Sequence, residues 1–258
     1  MTPHQLFKLE CAREIETNSS DEGLIKITRD WVSYANSRKY SYHFEWLGRP
    51  IIQYPQDIVA MQELVWSVKP DLIIETGIAH GGSLILSASM LAQLDMCDAI
   101  ESRTVLDPNN SSRLVIGLDI DIREHNRAAI EAHPMASRIK MFQASSVDLQ
   151  VLTEIKNIAA NYERILVCLD SNHTHEHTLA ELEAFAPLVT SGSYCVVFDT
   201  IIEELPEDSF PNRPWGHGNN PKTAVREFLK SHPEFSIDKS IDNKLLISTA
   251  KEGYLKRI

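Results

Sequence analysis

Asp71-Leu-Ile-Ile-Glu-Thr-Gly-Ile-Ala-His-Gly-Gly-Ser83 is the stretch on which the fold turns. A short apolar run ends in an acidic residue, a glycine turn follows, and a second glycine pair and a serine stand where a helix should begin. Three of the chain's ten glycines fall between Gly77 and Gly82. This layout is a strand–loop–helix unit whose bare backbone lets a nucleotide-like ligand approach closely. The spacing differs from the dinucleotide fingerprint, because Gly77 is not followed by a second glycine two residues on. The acidic Glu75 at the strand end points to a ligand with a positively charged group, such as the amine of S-adenosylmethionine (SAM).

Working outward, apolar runs and helical patterns alternate. Gln56–Val68 has helical spacing and stops at Lys69-Pro70. Strands are expected at Leu72–Glu75, Leu114–Asp119, Ile139–Gln143, Ile165–Asp170 and Tyr194–Asp199. Helices are expected at Ser83–Leu94, Glu124–Glu131, Leu149–Asn161 and His175–Leu188. This alternation implies parallel strands joined by crossover helices. Phe235–Ser248 reads as two strands, antiparallel to one another, separated by the charged stretch Asp238–Lys244. Asp95–Arg113 reads as a polar surface insertion. Glu204–Lys222, with four prolines and Trp215-Gly-His-Gly-Asn-Asn220, reads as a functional loop, a lid over the site. Residues 1–50 form a separate polar and aromatic extension with a helix over Asp21–Asn36, and 51–258 form the main domain.

Composition narrows the function. A chain of 258 residues with 43% hydrophobic content makes an ordinary packed α/β domain. The net charge of −11, without a run of Lys or Arg, argues against nucleic acid and anionic membrane surfaces. No apolar stretch is expected to span a bilayer, and Met1–Glu10 lacks a signal-peptide pattern. The four cysteines have no C-x-x-C spacing, so they are expected reduced, in a cytoplasmic protein.

In open α/β sheets the ligand lies beyond the carboxyl ends of the strands. Those ends carry Glu75, Thr76 and Gly77; Asp119, suited to ribose hydroxyls; Ser145 and Ser146, suited to an adenine edge; Asp170; and Asp199 and Thr200. Asp170 and Asp199 on adjacent strands would repel unless a proton or cation lay between them. Mg²⁺ with waters and substrate oxygens fits that set. His173 is placed three residues after Asp170 to act as general base. His173, His175 and His177 also allow a zinc-type hydrolase, although no zinc spacing supports it.

Five segments together resemble one family: Glu75–Ser83, Ile116–Asp121, Leu169–His177, Val196–Thr200 and Asn219–Ala224. From about Pro50 onward the chain resembles the cephalosporin hydroxylase / rhamnosyl O-methyltransferase family. The resemblance implies a Rossmann-like class I SAM-dependent methyltransferase with a seven-stranded, mostly parallel sheet and an antiparallel last strand. It implies O-methylation of a sugar or polar natural product, a homo-oligomer, and SAM and Mg²⁺ as cofactors. On it, Glu75, Thr76, Gly77, Gly81, Gly82, Ser83, Asp119, Ser145 and Ser146 would bind SAM, and Asp170, Asp199 and Thr200 the metal. His173 would be the base, with His175 and Trp215 toward the substrate. Asp170-Ser-Asn-His173 is also similar to the Asp-x-x-base motif of catechol O-methyltransferases. The family's acidic neighbour before Asp199 is replaced by Phe198, which leaves the third metal ligand open to Thr200, a water or a histidine. The same departure allows a non-catalytic SAM-binding partner subunit.

Overall fold

The computed structural model describes every residue, Met1–Ile258. Helices α1 (Pro3–Asn18) and α2 (Glu22–Ser37) lead into a short hairpin, β1 (Phe44–Trp46) and β2 (Arg49–Ile51), and then α3 (Pro55–Val68). The alternating region comprises β3 (Leu72–Thr76), α4 (Gly82–Ser102), β4 (Leu114–Asp119), α5 (Glu124–Glu131) and β5 (Ile139–Gln143). It continues with α6 (Leu149–Ala159), β6 (Ile165–Leu169), α7 (His175–Phe185) and β7 (Tyr194–Val197). The chain closes with α8 (Pro221–Phe228), β8 (Phe235–Ile237), α9 (Lys239–Leu245) and β9 (Tyr254–Arg257).

The seven-stranded sheet has the order β5-β4-β3-β6-β7-β9-β8. Strands β3 to β7 are parallel, and β9 runs antiparallel between β7 and β8. Side chains alternate across it, as the two-residue repeat of a strand requires. Ile73, Val115, Leu166 and Val196 face a core built with α3 and α4. Leu72, Ile74, Ile116, Val167 and Val197 face a second core built with α6, α7 and α8. After β3 the chain moves to β4 on one side, and later returns to β6 on the other. The ends of β3 and β6 therefore form the switch point where such sheets open a crevice.

Five expectations change. The charged stretch Asp238–Lys244 is helical, because Asp238 accepts from the Ser240 amide as an N-cap; the final strand is Tyr254–Arg257. Helix α4 runs to Ser102, well past Leu94. By length and composition it is apolar enough to cross a membrane, contrary to the expectation from sequence, and half of that window is buried against the rest of the chain. The hairpin cannot be separated from the main domain at residue 50: Trp46 Nε1 donates to Ser89 Oγ at 2.9 Å, and a division there would cut β2.

Asp95 is no part of a surface insertion. Its carboxylate accepts from Arg113, Arg138 and the Ser111 hydroxyl, and the two guanidinium side chains are 8% and 3% exposed. Burial alone would raise its pKa, but these partners hold it below the ordinary carboxylate range. The stabilisation is present above the unfolded-state value and is lost as pH falls through the lower, folded value. An Asp95→Ala protein, which leaves two buried guanidiniums uncompensated, is expected to lose about 3–5 kcal/mol in urea denaturation. A loss comparable to an exposed ion pair would show that the cluster is solvated.

Candidate active site

Gly77 ends β3 with a φ of +88°, and a Cβ there would stand 2.0 Å from the Asp170 carbonyl oxygen. Only glycine lets the two strand ends approach this closely. Asp170 is fixed from below: its amide donates to the Thr76 carbonyl at 2.9 Å and to the Thr76 hydroxyl at 3.3 Å. Asp199 follows β7 in a left-handed conformation, φ +55°, which aspartate tolerates better than most side chains. One ligand atom from each of Asp170, Asp199 and His173 comes within 4.8 Å of the others. His173 Nε2 stands 3.1 Å from Asp199 Oδ2, and the imidazole packs edge-on against Trp215 at 4.8 Å. Burial, then the charges of Asp199, Glu75, Glu181 and Asp57, push Asp170 well above the ordinary carboxylate range. A donor set of two mutually repelling carboxylates and an imidazole is one that a cation fits.

These groups open into a cleft of about 770 Å³. Gly77, Ala79 and Asp119 line it from the ends of β3 and β4; Trp215, Arg213 and Phe210 stand on the loop before α8; Ser33, Asn36 and Tyr42 come from α2 and the turn after it. Tyr54 lines the cleft with its ring 2% exposed. Burial first, then Asp199 and Asp57, push its phenol up to about 12, so at neutral pH it is a proton donor.

Asp119 holds the glycine loop. Oδ2 accepts from the Ile78 and Ala79 amides at 2.8 and 3.2 Å, and Oδ1 from the Asp121 amide at 3.0 Å. A carboxylate has about four acceptor positions, so one remains for a hydroxyl. The loop is clamped from outside by Arg49 on the His80 carbonyl and Asn126 on the Ala79 carbonyl. Gly82 and Ser83 line a small recess beside it, while Gly81 packs against Ile130.

Several expected site residues lie elsewhere. Glu75 shares the face of Ile73, is 4% exposed, and accepts from the Ser87 hydroxyl of α4, so it lies outside the cleft wall. Burial raises its pKa, opposed by Ser87 and Ser83. Thr76 is fully buried and supports Asp170 instead of facing a ligand. Thr200 is fully buried with its hydroxyl on the Lys251 and Thr249 carbonyls, so it cannot be the third metal ligand. His175 turns to α8, bonding Thr223 and pairing with Glu227, and is no substrate contact. His177 bonds the buried Ser146 and faces Glu181, and Ser145 lies outside the cleft wall. The three histidines therefore form no common site, which removes the hydrolase alternative. The Trp215 segment is tethered: Glu203 accepts from the Gly218 amide and the Asn220 side chain, and Asn219 bonds the Pro214 carbonyl and the His175 amide. In this structure it forms a wall tied to α7 and to Glu203. Sequence reading missed Tyr54 and the α2 residues, whose positions depend on packing and carry no local pattern.

The family model for rhamnosyl O-methyltransferase/CmcI matches residues 38–258. A rhamnosyl O-methyltransferase of Mycobacterium tuberculosis (strain ATCC 25618 / H37Rv) is 28% identical over 206 residues, covering 78% of this chain and 73% of its own. One from Mycobacterium leprae (strain TN) is 24% identical over 214 residues, covering 82% of each. Among solved structures, CmcI with Mg and SAM aligns at TM-score 0.54 and 18% identity, covering 84% of this chain and 77% of that one. CmcI with SAH aligns at TM-score 0.55 and 19% identity, covering 83% and 82%. The chain has the Rossmann-like fold of the SAM-dependent methyltransferases and belongs to the rhamnosyl O-methyltransferase/CmcI family.

Proposed function

We propose that this protein transfers the methyl group of SAM to a hydroxyl of a sugar or similar polar acceptor, with Mg²⁺ held by Asp170 and Asp199. The observation that carries this reading is the convergence of Asp170, Asp199 and His173 within 4.8 Å at the sheet's switch point, beside the glycine loop. The named activity of the mycobacterial relatives and the Mg and SAM of the CmcI structure support it.

Bound Mg²⁺ supplies a positive charge that makes a neighbouring acceptor hydroxyl more acidic and fixes its direction. The protein's own groups do the rest. Asp119 offers its remaining acceptor position to the ribose. Gly77, Gly82 and Ser83 bring backbone against the donor. His173 takes the acceptor proton at Nε2, which faces Asp199 in this structure and is freed when that carboxylate turns to the cation, while the edge of Trp215 holds the ring. Tyr54, protonated and beside Asp199, donates to an acceptor oxygen. Trp215 excludes water from that end of the cleft.

The test is transfer of labelled methyl from SAM to a panel of rhamnosides and other polyols. Product is expected with Mg²⁺, is lost with EDTA, and returns on adding Mg²⁺. No transfer to any acceptor by a protein that binds SAM would overturn the catalytic reading; indifference to EDTA would overturn the metal.

A further inference from the structure

We propose that the Gln53 amide recognises the ammonium group at the methionyl end of SAM. The inference rests on the SAM-binding reading above. Gln53 is 4% exposed, and its Oε1 is buried without a hydrogen-bond partner. Such an orphan is costly relative to a satisfied group, and an apolar side chain would avoid the penalty. Native interiors seldom keep one unless something else completes it.

The surroundings say what completes it. Gln53 lines a recess of about 50 Å³ between the strand β2 exit and the glycine loop, together with His80, Gly82, Ser83 and Asp170. Gly77, Ala79 and Asp170 line both this recess and the main cleft, so the two are continuous. The hairpin exit is pressed onto α4: a Cβ on Gly82 would stand 2.3 Å from the Pro50 carbonyl. Gln53 is therefore held at a fixed distance from the start of α4.

The recess is lined by groups that suit both charges. Its lining includes the N-terminus of the 21-residue α4, which no side chain caps. Its free amides and helix dipole suit a carboxylate. The same lining includes Asp170 and the Gln53 Oε1, which suit a donor with positive charge. An aminobutyrate group carries both functions on one carbon, and the carboxylate at α4 leaves the ammonium toward Gln53. Glu75, the residue expected from sequence to meet the ammonium, is bonded to Ser87 and faces α4.

Titration calorimetry on the full chain tests this with two ligands. S-adenosylhomocysteine has the aminobutyrate group; 5′-methylthioadenosine lacks it. Gln53→Leu is expected to weaken S-adenosylhomocysteine about ten-fold, the loss of one hydrogen bond to a charged group. It leaves 5′-methylthioadenosine unchanged within about two-fold, the margin of an untouched contact. Gln53→Glu, which keeps an acceptor, binds S-adenosylhomocysteine at least as well as the unaltered protein. Equal weakening of both ligands by Gln53→Leu, or of neither, overturns the assignment. So does a Gln53→Glu protein as weak as Gln53→Leu, since the amide would then be donating to the carboxylate. An unaltered protein that binds neither ligand overturns the SAM reading itself. Thermal melts confirm that each variant is folded.

Discussion

Replacing Asp170 with asparagine is expected to abolish methyl transfer and, in the absence of metal, to make the protein harder to unfold. The two effects share one cause. In the metal-free chain the Asp170 carboxyl is held well above the ordinary carboxylate range, by burial first and then by Asp199 and more distant carboxylates. A carboxyl whose folded pKa exceeds its unfolded one favours the fold only while protonated. That contribution is fully present below the unfolded pKa and disappears as pH rises through the folded one. At neutral pH the repelling pair works against folding until a cation relieves it. Asparagine removes the repulsion and, with it, the site. Activity should fall by at least about 10³-fold in kcat/KM, roughly 4 kcal/mol of transition-state stabilisation. Thermal melts in EDTA should show the variant more stable than the unaltered protein, by a margin that widens from acid to neutral pH. Added Mg²⁺ should raise the melting point of the unaltered protein alone. An Asp170→Asn protein less stable than its parent in EDTA, or one still stabilised by Mg²⁺, would mean that the two carboxylates do not share a cation.

Removing the imidazole separates the two roles open to His173. The ring lies within reach of the same point as the carboxylates, so geometry alone allows ligand or base. A hard Mg²⁺ prefers oxygen, which leaves Nε2 for the proton. His173→Ala is therefore expected to lower kcat by about 10²–10⁴-fold. Mg²⁺ and SAM affinities measured by calorimetry should stay at parental values. A large loss of Mg²⁺ affinity with little further change in kcat at saturating metal would make His173 a ligand and remove it as base.

The parts legible in the sequence are those set locally. The two-residue alternation of the strands, the glycines after β3 and the carboxylates at strand ends all follow from short-range pattern. Because parallel strands put their carboxyl ends on one rim, Asp119, Asp170, His173 and Asp199 could be placed together without coordinates. The β3 to β7 series matched its expected ranges to within one or two residues at most ends. The charged stretch before the last strand misled, since Asp238 caps a helix there and the reading of two strands ignored the cap.

What the tertiary structure alone decided is the direction of each side chain and the company it keeps. Glu75 and Thr76 are neighbours in sequence, yet the pleat sends one toward α4 and the other beneath Asp170, and neither lines the cleft. Thr200 and His175 are drawn to the 249–251 carbonyls and to α8 by packing far along the chain. Gln53 and Tyr54 enter the site from the opposite direction, because the hairpin docks on α4 and α2 closes over the rim. Periodicity carries information about which residues lie on a strand and where that strand ends. It carries none about which distant surface arrives to face them, since that is fixed by the summed packing of the whole chain.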